Sequence, residues 1–163
     1  MKNKTWIYIS IIVLITTALF IWDKTRHKEP PVDISTKTSR EVALTCTTDM
    51  ATEFHIHPEL HIFVDGEEIK VPNETGIRPD CMYSIHTHKD WPKLHVEAPV
   101  QKDFTLGDFF AVWDKDFSAT KLLENTVSES TEILVTVNGA QVDTYENTVM
   151  HDKDEIVISL QKK

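Results

Sequence analysis

The sequence predicts an α+β domain: a mostly antiparallel β-sheet with one short helix packed on it, preceded by a single N-terminal transmembrane helix. Three observations carry that expectation. An uncharged apolar run, Trp6 to Trp22, lies near the start between basic residues. Apolar and polar residues alternate with period 2 in short stretches between Phe54 and Leu160, the pattern of half-buried strands. One stretch alone, Thr105 to Trp113, carries apolar residues at helical spacing behind a capping sequence.

The run from Trp6 to Trp22 holds 17 residues, at the short end of the ~17–25 that a spanning helix needs. Lys2 and Lys4 precede it, and Lys24, Arg26 and Lys28 follow. Trp6, Tyr8 and Trp22 sit near its edges, where amphipathic rings favour the headgroup region. A cleaved signal peptide would need small residues around a cleavage site. The chain instead runs Leu19-Phe20-Ile21-Trp22-Asp23 after Ala18, so an uncleaved anchor is expected. A short basic N-tail normally stays inside, which gives a single-pass protein of the cell membrane with its C-terminal domain outside the cytoplasm. Residues 1–22 are thus read as the anchor. Residues 23–50 are read as a flexible linker, broken by Glu29-Pro30-Pro31 and polar from Ser35 to Arg40. Residues 51–163 suffice for one compact domain.

Charge and cysteine usage narrow the partners. The chain carries a formal net charge of −9, and in residues 51–163 Asp and Glu outnumber Lys and Arg 21 to 10. Such a surface repels phosphate backbones, which excludes nucleic acid, and it attracts cations. Cys46 and Cys81 are the only cysteines. In an extracytoplasmic domain two cysteines read as one disulfide; the alternative is a Cys81 thiolate ligand with Cys46 free.

Along the domain, Ile56, Leu60, Ile62 and Val64 alternate with His55, His57, Glu59 and His61, a strand that Pro58 makes an edge or breaks. Asp65-Gly66 reads as a tight hairpin turn returning through Glu67 to Val71. Met82–His88 and Leu94–Glu97 are further extended stretches, joined by a loop around Trp91. Thr105 and Asp108 form a capping box, Phe104 and Phe109 a hydrophobic staple, and Leu106, Phe109, Phe110 and Trp113 share a face of the helix. Ser118–Leu123 reads as a short helical turn. Ile133–Val137, the turn Asn138-Gly139, Ala140–Val142 and a closing strand Ile156–Leu160 complete the sheet.

Six of the eight histidines fall between His55 and His95, as His55-x-His57, His61, His86-x-His88 and His95-x-Glu97. Residues two apart on a strand face the same way, so each pair aims two side chains at one side. Imidazole nitrogen suits transition metals, copper and zinc among them. The candidate ligands are His55, His57, His86, His88, His95 and Glu97, with His61 in reserve. That is more than one tetrahedral ion takes, so some of them would support ligands, stay unused or hold a second ion. If Met82–His88 pairs with Leu94–Glu97, His86 or His88 faces His95 across the ladder. At least three imidazoles are then expected to converge, with Glu97 beside them. The bland alternative is a wet sheet face whose histidines are solvated. His27 and His151 are isolated and are assigned nothing.

The stretch His55-Ile-His57-Pro58-Glu-Leu60 with Val64-Asp65-Gly66, then Cys81, His86-Thr-His88 and His95-Val-Glu97-Ala-Pro99, resembles a family of uncharacterised membrane-anchored or secreted prokaryotic His-rich proteins. The similarity covers roughly residues 53–113, including Phe104 to Trp113. It matches His55, His57, His86, His88, His95 and Glu97, and implies no particular activity. The chain departs from the family at Lys89-Asp90, where the family pattern has Asp directly after the second His-x-His, and at Pro92, where Gly is usual; His61 is outside the pattern. The stretch Ile133 to Leu160 also resembles ubiquitin-like β-grasp domains in its hairpin and closing strand. A sulfur-carrier activity would need a C-terminal Gly-Gly where this chain has Gln161-Lys162-Lys163, so it does not carry over.

The expected function is a membrane-tethered extracytoplasmic protein that binds a transition metal ion, copper or zinc, through clustered histidines; protein partners stay open. Two alternatives stand beside it. One is a metal-dependent hydrolase-type enzyme with Glu97 as base on a metal-bound water. The other is a non-catalytic envelope interaction module with pH-sensitive histidines. No helical His-Glu-x-x-His and no nucleophile with a partnered base is present, so no catalytic residue is assigned.

Overall fold

The computed structural model describes residues 16–17, 34–48 and 52–163. The expected anchor lies outside the described residues except for Thr16 and Thr17, and so does His27. No helix among the described residues is long and apolar enough to cross a membrane. The chain divides into the units Met1–Asp33 and Ile34–Lys163, and the second carries the sheets and the main helix.

Its helices are α1 (Ser39–Ala43) and α2 (Leu106–Trp113). Its strands are β1 (Phe54–Ile56), β2 (Glu59–Val64), β3 (Glu67–Glu68), β4 (Ile85–His86), β5 (His95–Ala98) and β6 (Phe117–Ser118). They continue with β7 (Lys121–Leu122), β8 (Asn125–Thr126), β9 (Thr131–Val137), β10 (Ala140–Val142) and β11 (Glu155–Lys162). The result is α+β and sheet-dominated, with one main helix.

Pro58 decides the architecture. The alternating stretch from Phe54 to Val64 reads as one strand, yet it becomes β1 and β2 in different sheets. Proline has no N–H for a ladder; its carbonyl instead accepts from Leu94 N at 2.8 Å. β1 enters a three-stranded sheet of order β1-β5-β4, and β2 enters a five-stranded sheet of order β10-β9-β11-β2-β3.

In the larger sheet β2 and β11 run parallel, with Leu60 opposite Ile156 and Ile62 opposite Ile158. The other pairings are antiparallel. Leu60, Ile62, Ile133, Val135, Ile156, Ile158 and Leu160 fill one face and are buried, so the hydrophobic pattern locks this register. Asp65-Gly66 and Asn138-Gly139 both adopt positive φ, as two-residue hairpin turns require. The parallel central pair is the one feature of this sheet that the alternation does not announce.

The expected helix forms as α2. Thr105 Oγ1 accepts from Asp108 N, and Asp108 Oδ2 accepts from Thr105 N at 3.0 Å. Phe104 and Phe109, the staple pair, are both fully buried, together with Leu106 and Phe110. The helix stops at Asp114, whose backbone is left-handed.

Two expectations fail here. Ser118–Leu123 is no helical turn: β6, β7 and β8 form a small antiparallel meander. The Ser118 hydroxyl accepts from Thr120 N, a local bond that competes with helix, and Phe117 and Leu122 face the core. Residues 34–48, assigned to the linker, are folded. Thr38 and Glu41 form a capping box for α1, and Val42 and Ala43 are buried in the core. Arg40 Nε pairs with Asp108 Oδ1 at 2.8 Å, and Arg40 Nη1 donates to Gly107 O at 2.8 Å. Two buried residues in a five-residue helix are too few to register as periodicity.

Candidate metal centre

The three-stranded sheet arranges the histidines by register. β5 is its middle strand, and Val96 and Ala98 face the core with Ile56 and Ile85. His95 and Glu97 therefore face the other way. On one side His55 lies opposite Glu97, and on the other His86 lies opposite His95. The His55–Glu97 pairing, continued one residue past the end of β1, brings His57 to His95. His88 follows His86 with the same parity.

The side chains meet. Ring centroids are 4.4 Å apart for His55 and His57, 4.7 Å for His57 and His95, 4.6 Å for His88 and His95, and 4.9 Å for His86 and His88. His86 stacks on His95 at 5.5 Å. Two groups result, His55–His57–His95 and His86–His88–His95, each with ligand atoms within 4.8 Å of one another. A tetrahedral ion with Zn–N of about 2.0–2.1 Å sets its nitrogens roughly 3.3 Å apart, so closing a group takes side-chain shifts on the order of 1 Å.

Two carboxylates flank the rings. Glu97 Oε1 lies 3.1 Å from His55 Nε2 and 3.9 Å from His95 Nδ1. Asp90 Oδ2 lies 3.0 Å from His95 Nε2. Burial pushes the Asp90 carboxyl up, but its hydrogen bond to His95 and the charge there outweigh this and hold it below its ordinary value. Asp90 is the residue sequence reasoning missed. The family resemblance marked Lys89-Asp90 as a departure, yet a carboxylate one residue later in the loop still reaches His95.

His86 is the unusual member. It is fully buried, and its Nδ1 lies 3.1 Å from the Tyr83 carbonyl. A carbonyl only accepts, so Nδ1 carries the proton and Nε2 the lone pair. That Nε2 is buried and has no hydrogen-bond partner among the described residues. Burial pushes the imidazole down to about 4, while the Tyr83 hydrogen bond and the Glu97 charge pull the other way. His57 is also lowered, first by burial and then by the neighbouring His95 and His55. Neutral imidazoles are the form that ligates.

The cover over His86 is built from the loop after β3. Thr87 N donates to Thr75 O, and the Thr87 hydroxyl donates to Pro72 O at 2.8 Å. Gly76 adopts φ +81°, and a Cβ there would sit 2.5 Å from Ile85 O and 3.1 Å from His86 Cβ. Only glycine lets the loop lie this close. Cys46 and Cys81 are disulfide-bonded, which ties this region to the segment after α1 and excludes a Cys81 thiolate ligand.

Of the reserve and unassigned histidines, His61 pairs with Glu68 Oε1 at 2.7 Å and packs edge-on to Trp91, outside both groups. His151 is exposed and pairs with Asp154. No protein-family model, curated protein or solved structure matches the chain.

Proposed function

We propose that this chain is a membrane-tethered, extracytoplasmic protein that binds a transition metal ion, copper or zinc, through His55, His57, His86, His88, His95 and Glu97. The single observation that carries this reading is the buried Nε2 of His86, which has no hydrogen-bond partner among the described residues and whose ring lies against two further imidazoles. A buried polar atom left unsatisfied costs about 1–3 kcal/mol, and a cation bound there removes that cost. The acidic surface supports the same reading. The tether rests on the apolar run Trp6 to Trp22.

The strand order, with the first hairpin, α2, the second hairpin and a last strand parallel to the first, supports a β-grasp-like core. In that reading β1, β4 and β5 are an added sheet that carries the histidines. For the hydrolase alternative, a surface hollow of about 470 Å³ lined by Arg40, Lys115, Glu124 and neighbours contains none of the candidate ligands, and one of about 410 Å³ lined by Glu59, Lys93, Asp152 and neighbours contains His57 alone of them.

The test uses the full chain, purified without a histidine tag. After loading with Cu(II) or Zn(II) and desalting, it should retain metal. At free metal 100 times the dissociation constant, unfolding should cost about 2.7 kcal/mol more than in the apoprotein, an effect a chelator reverses. No retained metal and no thermal shift would refute the proposal.

A further inference from the structure

Five imidazoles and two carboxylates exceed the four ligands of a structural zinc site, and the geometry divides them. The two histidine groups meet only at His95. Each has a carboxylate at hand: Glu97 touches His55, and Asp90, in the loop just after His88, reaches His95. His95 itself has Asp90 at Nε2 and Glu97 3.9 Å from Nδ1. A neutral imidazole offers one lone pair and one N–H. When Nδ1 ligates, Asp90 accepts the Nε2–H and holds the ring in place; when Nε2 ligates, Glu97 is the carboxylate on the Nδ1 side, and a shift of about 1 Å brings it within hydrogen-bond distance. Binding two ions at once would require the ring to lose both protons, so His95 serves one ion.

We propose that the two groups are successive positions for a single divalent copper or zinc ion. An outer position at His55, His57 and Glu97 captures the ion. An inner position at His86 and His88 retains it, with His95 the ligand common to both. This rests on the metal-binding reading above and adds an order to it. The most buried member of each group sets the direction: His88 is exposed like His55, but the outer group has no buried ring, whereas the inner one holds His86, fully buried with an Nε2 that has no hydrogen-bond partner among the described residues. Transfer exchanges coordinate bonds to imidazole and changes no oxidation state.

The test uses the full chain in detergent with Cu(II) as probe. The variants are His55→Ala and His88→Ala, both at exposed positions, so the buried His86 need not be disturbed. Thermal unfolding of each apoprotein should match the parent. Stopped-flow mixing gives the loading rate, transfer to a chelator gives the release rate, and electron paramagnetic resonance reports the ligand set.

His88→Ala should load at the parent rate and release Cu(II) at least about tenfold faster, since even an outer partner of a ligand is worth 10–100-fold. Its spectrum should be the one the parent passes through just after mixing. His55→Ala should load at least about tenfold more slowly, yet end with the parent spectrum and release rate. Two coppers held at once by the parent, or both variants changing loading and release alike, would overturn the ordered pair while leaving metal binding intact. A parent chain that binds no copper would overturn the metal-binding reading itself.

Discussion

Acidifying the metal-free protein probes His86 directly. The imidazole titrates at 6.5 as a free group and is pushed down to about 4 in the folded chain, by burial above all. Above pH 6.5 both folded and unfolded states hold it neutral, and the fold suffers no penalty. Between pH 6.5 and 4 the unfolded chain takes up a proton that the folded chain refuses, so stability falls with pH across that window. One pKa unit corresponds to about 1.36 kcal/mol, so moving from pH 7.5 to 4 removes about 3 kcal/mol through this residue. His57 is shifted in the same direction and adds to the loss.

The assay is urea unfolding with a chelator present, followed by tryptophan fluorescence at pH 7.5 and at pH 4. Acid also acts on the carboxylates, so the informative quantity is the comparison with His86→Gln. That variant cannot titrate in this range and should lose about 3 kcal/mol less than the parent over the same interval. If parent and variant lose the same stability, His86 is not held neutral in the fold, and its bare Nε2 ceases to be an argument for a bound cation.

Two further outcomes come from the packing around the site. Gly76→Ala forces a Cβ to 2.5 Å from the Ile85 carbonyl at a left-handed backbone position; it should destabilise the fold by at least about 1–2 kcal/mol from the backbone conformation alone. In the same variant, hydrogen exchange at Thr75 and Thr87, whose amides close the cover over His86, should accelerate. Arg40→Ala removes the partner of a buried Asp108 and should cost about 1.5–3 kcal/mol, the range for hydrogen bonds to charged groups. Because α1 shares the core, that loss should appear in the single unfolding transition of the domain. A separate early transition would mean that residues 34–48 are an independent appendage.

Much of the fold is legible in the sequence, and the remainder is hidden for physical reasons. The hairpins announce themselves because Asp65-Gly66 and Asn138-Gly139 are among the few pairs that tolerate two successive left-handed residues. The helix announces itself through Thr105, Asp108 and the staple. That His86 or His88 faces His95 comes from the parity of two neighbouring strands; that it is His86 comes from the register. The parallel pairing of β2 with β11 does not announce itself, because a non-local ladder leaves no trace in either strand's own alternation. Asp90 is equally invisible, since it reaches His95 from a loop, and loop geometry has no period to read.

The histidine cluster also bears on the rival readings. A stripe of solvated histidines would leave every ring nitrogen open to water, and His86 is fully buried. A histidine serving only the core would have both nitrogens satisfied, as buried polar groups nearly always are; here Nδ1 has the Tyr83 carbonyl and Nε2 has no hydrogen-bond partner among the described residues. A pH-sensing surface needs groups that change charge between about pH 5 and 8, and His86 stays neutral through that window, with its transition at about 4. The exposed rings could serve any of these purposes taken singly. Their contact with a ring that serves none of them supports the proposed cation, because a bare lone pair buried beside further imidazoles is satisfied by a metal ion at less cost than by a proton.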